Sequence, residues 1–481
     1  MAGWCAPTPK RQPPNVNVLM LSDLHFDPFH DPAKALALRH LPISEWPAIL
    51  DKRDSATRLS SFSELQRACK IRGEDTTWTL LRSSLREARQ QEPSPLFITV
   101  SGDLLAHGFI CRSQKLFSGA TSEELSFFAA KTVAFVAQQI HESFPKTPIY
   151  FALGNNDSGC GDYRDEPDSA FLKSVAKVFA ADIPDAANRE SFRATFPHLG
   201  DYTVTLPSPI HDTRLIVLQD IFESTHHLDC NGQANNAPAE QQIAWLRKQL
   251  TEARDAGEQV WVMAHIPPGV DIYATYHRYL FAPGEACNVK QPQMFLSSEA
   301  LGDTIADFSD IVRLAIFAHT HMDEIKLIES AKQEGGEDSN AVVPVKLVPS
   351  ISPINGNEPA FIVAQVAPQT ATLKDYEVYS ASTAQGTGWG LEYRFSKAYG
   401  LPDFSAASVQ KLTSNLIDDK TGEDEVSRTY EKYFLTGGGT FAALGLQRLW
   451  PEYSCSLRER DPVAFHHCMC PDGKLAKSQT P

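Results

Sequence analysis

Two histidines one residue apart, His319 and His321 in FAHTHMDE, can each offer an imidazole nitrogen to a metal ion. Four further motifs offer the complementary groups: Asp23 and His25 in LSDLH, Asp103 and His107 in SGDLLAH, Asn155, Asn156 and Asp157 in LGNND, and His265 in MAHIPP. A two-metal hydrolytic centre needs oxygen and nitrogen ligands from several strand ends, with one carboxylate able to bridge. Asp23, His25, Asp103, Asn155, His265, His319 and His321 meet that requirement, and Asp103 is the bridging candidate. Seven ligands serve two divalent or trivalent ions and leave room for water. Mixed nitrogen and oxygen ligation without thiolates suits zinc foremost, then manganese or iron.

Each motif alone has an ordinary explanation. Asp-x-His and Gly-Asp are common turns, and a histidine before Ile-Pro-Pro is usually structural. All five together, in this order and each just after an apolar β-like run, point to a metal-dependent phosphoester hydrolase. The ten histidines outside these motifs have no such context and are assigned no role.

The elements that must position these residues are readable from periodicity and punctuation. Strands are expected over 16–22, 96–100, 148–153, 202–206, 215–219, 260–264 and 311–318. Shorter ones follow over 324–328, 343–348, 361–366, 373–379 and 391–395. Helices are expected over 77–91, 121–144, 168–180 and 238–256. The second opens on the capping box Thr121-Ser-Glu-Glu124, the last on a proline in its first turn. Residues 27–75 read as an irregular insertion. From about 399 the chain turns helical, over 407–418 and 424–434, with a glycine break at 437–439. This is the pattern of two sheets packed face to face with helices outside, and open α/β sheets place ligands at the C-terminal ends of their strands. The expected division is a flexible segment 1–14, a catalytic domain 15–398 and a small helical, cysteine-containing subdomain 399–481.

The chain's 481 residues suffice for a large core. A net charge of -15 argues against nucleic-acid binding, which calls for a basic patch. It leaves room for a small anionic substrate, because bound cations supply positive charge locally. No run is long and apolar enough to span a bilayer. Nine cysteines, at 5, 69, 111, 160, 230, 287, 455, 468 and 470, show no opposed CxxC pairs, so disulfides in an exported protein are a better reading than structural zinc. The odd count leaves one unpaired, and Cys5 is the natural candidate. The N-terminus has no hydrophobic leader and looks trimmed or re-engineered. A secreted or periplasmic location thus rests on cysteine usage, and the chain is expected to be monomeric.

These residues resemble the calcineurin-like metallophosphoesterase superfamily, and within it the acid sphingomyelinase-like phosphodiesterase branch. The core motifs carry the likeness, with AHIPPG around His265, PSISPINGNEPAF at 349–361, and a tail running from Tyr453-Ser-Cys455 to Phe465-His-His-Cys468-Met-Cys470. The likeness spans about residues 16–470, loosely over 27–75 and much of the tail. It implies a four-layer α/β/β/α sandwich with the small helical subdomain docked on it, and a secreted or lysosome-like compartment. It implies Asp23, His25, Asp103 and His321 around one metal, and Asp103, Asn155, His265 and His319 around the other. Substrates would be small phosphorylated molecules: nucleotides, polyphosphate or a phospholipid headgroup. Such a pair of cations activates a shared water for in-line attack on phosphorus.

One position departs from the superfamily. Where most members read Gly-Asn-His, with a histidine that contacts phosphate and helps protonate the leaving group, this chain has Asn156. An amide donates a hydrogen bond but delivers no proton. His107 matches a second histidine that the branch sets near the leaving group, and it becomes the candidate general acid. A phosphate leaving group, with its last pKa of about 6, departs readily without one. The expected bias is therefore toward phosphoanhydrides or activated diesters over sphingomyelin. Endopolyphosphatases of the same broad branch resemble this chain in carrying Gly-Asn-Asn-Asp. The alternatives are an endopolyphosphatase-like enzyme, a sphingomyelin phosphodiesterase, or a catalytically impaired ligand-binding relative. Asn156 could also be an introduced substitution.

Overall fold

A computed structural model describes residues 14–281, 283–329, 342–437 and 440–471. Cys5, and all but the last residue of the N-terminal segment expected to be flexible, lie outside them. Among the described residues, twelve strands form two six-stranded sheets. They are β1 (Val16–Leu21), β2 (Ile98–Val100), β3 (Ile149–Phe151), β4 (Tyr202–Thr205), β5 (Thr213–Val217), β6 (Gln259–Met263), β7 (Val312–Phe317), β8 (Glu324–Glu329), β9 (Val342–Leu347), β10 (Ala360–Ala367), β11 (Thr372–Ser380) and β12 (Gly390–Arg394). The orders are β12-β11-β10-β1-β2-β3 and β4-β5-β6-β7-β9-β8.

Parallel strands covered on both faces read as continuous apolar runs, and VLML, ITV, IYF and VWVM are such runs. Within the second sheet the side chains still divide by the strand period of two. Leu215, Val217, Trp261 and Met263 face the other sheet, in the apolar cluster that contains β1, β2 and β3. Ile216, Val260 and Val262 face the outer helices Ala237–Ala256 and Ala300–Asp307. Trp261 locks the layers together: its ring meets Phe97 at 5.9 Å and its indole N–H donates to the carbonyl of Ala371 at 2.7 Å.

Parallel register aligns the motif-bearing ends. Leu21 pairs with Val100, which pairs with Phe151, so Asp23, Asp103 and Asn155 emerge along one edge. In the second sheet Val217 pairs with Met263 and Met263 with Ile316, bringing His265 and His319 to the corresponding edge. Helix Ser122–Ser143 covers the first sheet and opens with the expected capping box, both hydrogen bonds made.

The irregular insertion expected over 27–75 proves to hold three short helices, Pro32–Leu38, Trp46–Leu50 and Arg58–Cys69. Its fully buried Trp46 packs on Phe135 at 4.9 Å. The first two helices are too short for a sustained 3.6-residue pattern, and the stability of all three comes from tertiary packing. The excursion starts and ends beside the site, because Phe26 bridges to Thr76.

Of the C-terminal helices Ala406–Asp418, Glu425–Phe434, Thr440–Arg448, Trp450–Cys455 and Pro462–Met469, the first packs onto β8 and β9 of the second sheet, and the others pack on it and on one another. Val409, Leu412, Leu416, Phe434 and Trp450 belong to the same apolar cluster as the sheets. Disulfides join Cys69 to Cys111, Cys160 to Cys230, Cys287 to Cys470 and Cys455 to Cys468. Among the described residues no helix is long and apolar enough to cross a membrane.

Candidate metal centre

Five of the seven proposed ligands sit in the left-handed region of backbone space: Asp23 (φ 46°), His25 (φ 38°), Asp103 (φ 55°), His319 (φ 71°) and His321 (φ 69°). That conformation costs an L-residue about 1–2 kcal/mol. Its concentration at strand ends that meet in space marks a region where geometry has been kept at the expense of local stability. Two glycines make the approach possible. A Cβ on Gly154 would lie 2.2 Å from Asp103 Oδ1, and one on Gly102 (φ +103°) would lie 2.7 Å from His265 Nδ1.

The seven side chains converge into two overlapping groups. Ligand atoms of Asp23, His25 and Asp103 lie within 4.8 Å of one another, as do those of Asp103, His265 and His319. Asp103 is common to both. Its Oδ2 stands 3.4 Å from His25 Nε2 and 3.2 Å from His265 Nε2. His321 Nε2 lies 3.5 Å from Asp23 Oδ1 and 3.1 Å from His25 Nε2. Asn155 Oδ1 faces His319 Nδ1 at 2.9 Å.

Hydrogen bonds behind the ring set the tautomers of His25 and His265. His25 Nδ1 bonds the Leu105 carbonyl and His265 Nδ1 bonds the Ser101 carbonyl, each at 2.8 Å. Both rings therefore turn Nε2 toward the carboxylates, the usual arrangement behind a ligating imidazole. Burial depresses His319 to about 3, with His265 adding to the fall, and depresses His321 likewise to about 3, so both are neutral and present lone pairs. For His25 and His265 burial acts downward too. Asp103 and Asp23 outweigh it and raise them to about 9 and about 10.

The donor set fits cations. Among the described residues, both carboxylate oxygens of Asp23 are buried without a hydrogen-bond partner. Leaving buried polar atoms unsatisfied costs about 1–3 kcal/mol each, so a pocket that gathers them is built for a ligand that accepts lone pairs.

Asn156 does not face outward as a substitute acid. Its backbone N–H donates to Asp103 Oδ1 at 2.8 Å and its Nδ2 donates to Asp103 Oδ2 at 2.9 Å. Asp157, with Asn156 part of LGNND, is structural: its carboxylate accepts the backbone N–H groups of Leu104, Leu105 and Gly154.

His107 stacks on His25 at 4.1 Å between ring centroids and approaches the ligand atoms of His25 and His321 to within 4.8 Å. Behind it stands Asp75, which sequence reasoning missed. Asp75 Oδ1 bonds His107 Nδ1 at 3.0 Å, Asp75 Oδ2 accepts the His107 backbone N–H at 2.9 Å, and the Ser352 hydroxyl donates to Oδ1 at 3.0 Å. Burial raises Asp75, but His107, His25 and Arg112 outweigh it and hold the carboxyl below its ordinary value. The buried Arg112 reaches Asp27 at 2.8 Å and Asp75 at 3.5 Å.

Two further residues were invisible in the motifs. Tyr163 Oη lies 3.2 Å from His319 Nε2, and Asp162 Oδ1 accepts from Asn155 Nδ2 at 2.7 Å. His226, given no role from sequence, packs edge-on to Tyr163 at 5.2 Å, and Phe295 packs edge-on to His319 at 5.5 Å.

The profile of the calcineurin-like phosphoesterase family matches residues 16–323. Acid sphingomyelinase-like phosphodiesterase 3b of Homo sapiens is 27% identical over 427 residues, covering 85% of this chain and 83% of the relative. Cyclic GMP-AMP phosphodiesterase SMPDL3A of Rattus norvegicus is 24% identical, covering 69% of each chain. Among solved structures, a dimetal phosphatase from Danio rerio is 12% identical over 76% of this chain and 96% of that one, with a TM-score of 0.38. With a profile match over more than half its length and relatives aligned along most of it, the chain belongs to the calcineurin-like phosphoesterase family, in its acid sphingomyelinase-like branch, and is a phosphoric ester hydrolase.

Proposed function

We propose that the chain is a two-metal phosphodiesterase acting on phosphoanhydrides or activated diesters, with nucleotides as the leading substrate class. The observation that carries the two-metal reading is Asp103, buried and shared between two clusters of lone pairs. In this reading Asp23, His25 and His321 join Asp103 around one ion. Asn155, His265 and His319 join it around the other. Zinc suits the four imidazoles best, with manganese or iron as alternatives. When bound, two such ions lower the pKa of a shared water and offset charge on the phosphoryl oxygens.

The chain's own residues do the rest. Asn156 holds both oxygens of Asp103 in register through its two N–H donors. His107, with Nδ1 committed to Asp75, turns Nε2 away from that carboxylate as the proton donor to a leaving group. Asp75 is its positioning residue, and Arg112 pairs with both Asp75 and Asp27. A poor alkoxide leaving group depends on that acid, whereas a departing phosphate needs little help. The name of the SMPDL3A relative, a cyclic GMP-AMP phosphodiesterase, supports nucleotide substrates. The four disulfides among the described residues support an exported or lysosome-like location.

The test is a panel of nucleotide di- and triphosphates, polyphosphate, an aryl phosphodiester and sphingomyelin, assayed with the metal-replete protein. Anhydrides or the aryl diester should turn over fastest. Faster hydrolysis of sphingomyelin than of every anhydride overturns the substrate reading.

A further inference from the structure

The loop that follows LGNND folds back over one half of the centre. The Tyr163 backbone N–H donates to the Asn155 carbonyl at 2.9 Å, closing the loop onto the ligand strand. A short ladder then ties it to the segment after β5: the Leu228 N–H donates to the Tyr163 carbonyl at 3.0 Å and the Asp165 N–H to the Leu228 carbonyl at 3.3 Å. The disulfide between Cys160 and Cys230 joins the same two segments covalently. This clamp carries Asp162 and Tyr163.

Both residues act on ligand atoms from behind. The Asn155 side chain could turn either its oxygen or its nitrogen into the centre. With Asp162 Oδ1 at 2.7 Å from Nδ2, only one choice is favourable, because an amide oxygen set against a carboxylate oxygen is repelled. The Asn155 carbonyl oxygen is therefore directed at His319. That imidazole likewise has two usable nitrogens, and Tyr163 Oη engages Nε2 at 3.2 Å. Nδ1 is left to face inward beside Asn155 Oδ1, at 2.9 Å. Among the described residues no hydrogen bond or ion pair joins Asp162 or Tyr163 to Asp23, His25 or His321. The other half of the centre has its own excursion, 27–75, tied by Cys69–Cys111.

We infer that the disulfide-clamped segment 160–164 is a positioning device for one metal only, with Asp162 setting the amide of Asn155 and Tyr163 setting the nitrogen that His319 presents. The inference rests on the two-metal reading above. Partners of this kind hold ligand orientation, and their loss typically weakens metal binding about 10–100-fold.

The test uses the whole protein stripped with a chelator and titrated with Zn2+ alone, by calorimetry and by equilibrium dialysis with elemental analysis. Wild type should take up two ions. Tyr163→Phe, which removes only a hydroxyl, and Asp162→Ala should each weaken one ion about 10–100-fold and leave the other at wild-type affinity. The pair Cys160→Ser and Cys230→Ser should reproduce that selective loss. The pair Cys69→Ser and Cys111→Ser should leave binding of this ion unchanged. Wild-type binding of two ions with unaltered affinities in Tyr163→Phe and Asp162→Ala overturns the inference alone, as does an equal loss at both ions. Binding of fewer than two ions by wild type overturns the two-metal reading and the inference with it.

Discussion

Gly154→Ala is the smallest change that should dismantle the centre. The added Cβ would stand 2.2 Å from Asp103 Oδ1, 2.6 Å from Asp103 N and 2.7 Å from Asp103 Cγ, where real Cβ atoms essentially never come closer than 3.0 Å. Relief requires a shift of roughly 0.8 Å or more, and a misplacement of about 1 Å at a reacting centre costs on the order of 100-fold in rate. Asp103 cannot swing aside freely, because Asn156 holds both its oxygens and the backbone of Asp103 is itself among the contacts. Overpacking of this size destabilises a fold by about 1–3 kcal/mol, which a chain with this much core survives. The expected phenotype is a folded protein with near-native circular dichroism, a lowered metal content and a kcat/KM reduced about 100-fold or more. Elemental analysis and steady-state kinetics on one preparation read both quantities. A Gly154→Ala protein with full metal content and activity within twofold of wild type would refute the assignment of Asp103 as the shared ligand.

Three further outcomes follow from the site. His107→Gln should lower kcat on a diester with a poor alcohol leaving group by about 100-fold or more, with only a small change on a phosphoanhydride; equal losses on both would remove His107 as the proton donor. Asn156→His should bring little gain on anhydrides, since Asn156 orients Asp103, and a large gain on every substrate would mark Asn156 as a lesion or an introduced change. Glu223 is a pH reporter outside the ligand set: burial raises it to about 8, with Asp220 adding to the rise, while an unfolded glutamate titrates at about 4.3. Between those values the native carboxyl keeps its proton and the unfolded one loses it, so stability falls as pH rises through the window. Glu223→Gln removes that dependence and should gain thermal stability over wild type at pH 8 but much less at pH 5, the difference being on the order of a few kcal/mol. A constant difference between the two pH values would contradict the sign.

The parts of the molecule written in continuous local signals were legible in the sequence. Apolar runs ending in Asp23, Asp103, Asn155, His265 and His319 gave the strand ends, and parallel register does the remaining work of bringing them together. The capping box at Thr121 fixed a helix start to the residue. What escaped was held by tertiary contact. The helices within 27–75 are short and depend on burial of residues such as Trp46. Asp75 is brought to His107 by a loop neck 32 residues away in sequence, and Tyr163 reaches His319 across 156 residues. A lone aspartate after Gly-Glu, or a tyrosine in Gly-Asp-Tyr, carries no periodicity that would distinguish it from any surface loop. Asn156 was legible as a departure, but its engagement with Asp103 became visible only in three dimensions.

Six side chains together with the shared Asp103 are proposed to hold two ions that hydrolysis requires. Reconstitution of the chelator-stripped protein with measured equivalents of Zn2+, followed by both elemental analysis and phosphodiesterase rate, tests it most directly. Two ions per chain, with activity returning fully only as the second is taken up, is the predicted result. Full activity at one ion per chain, or in protein stripped of metal, would contradict it.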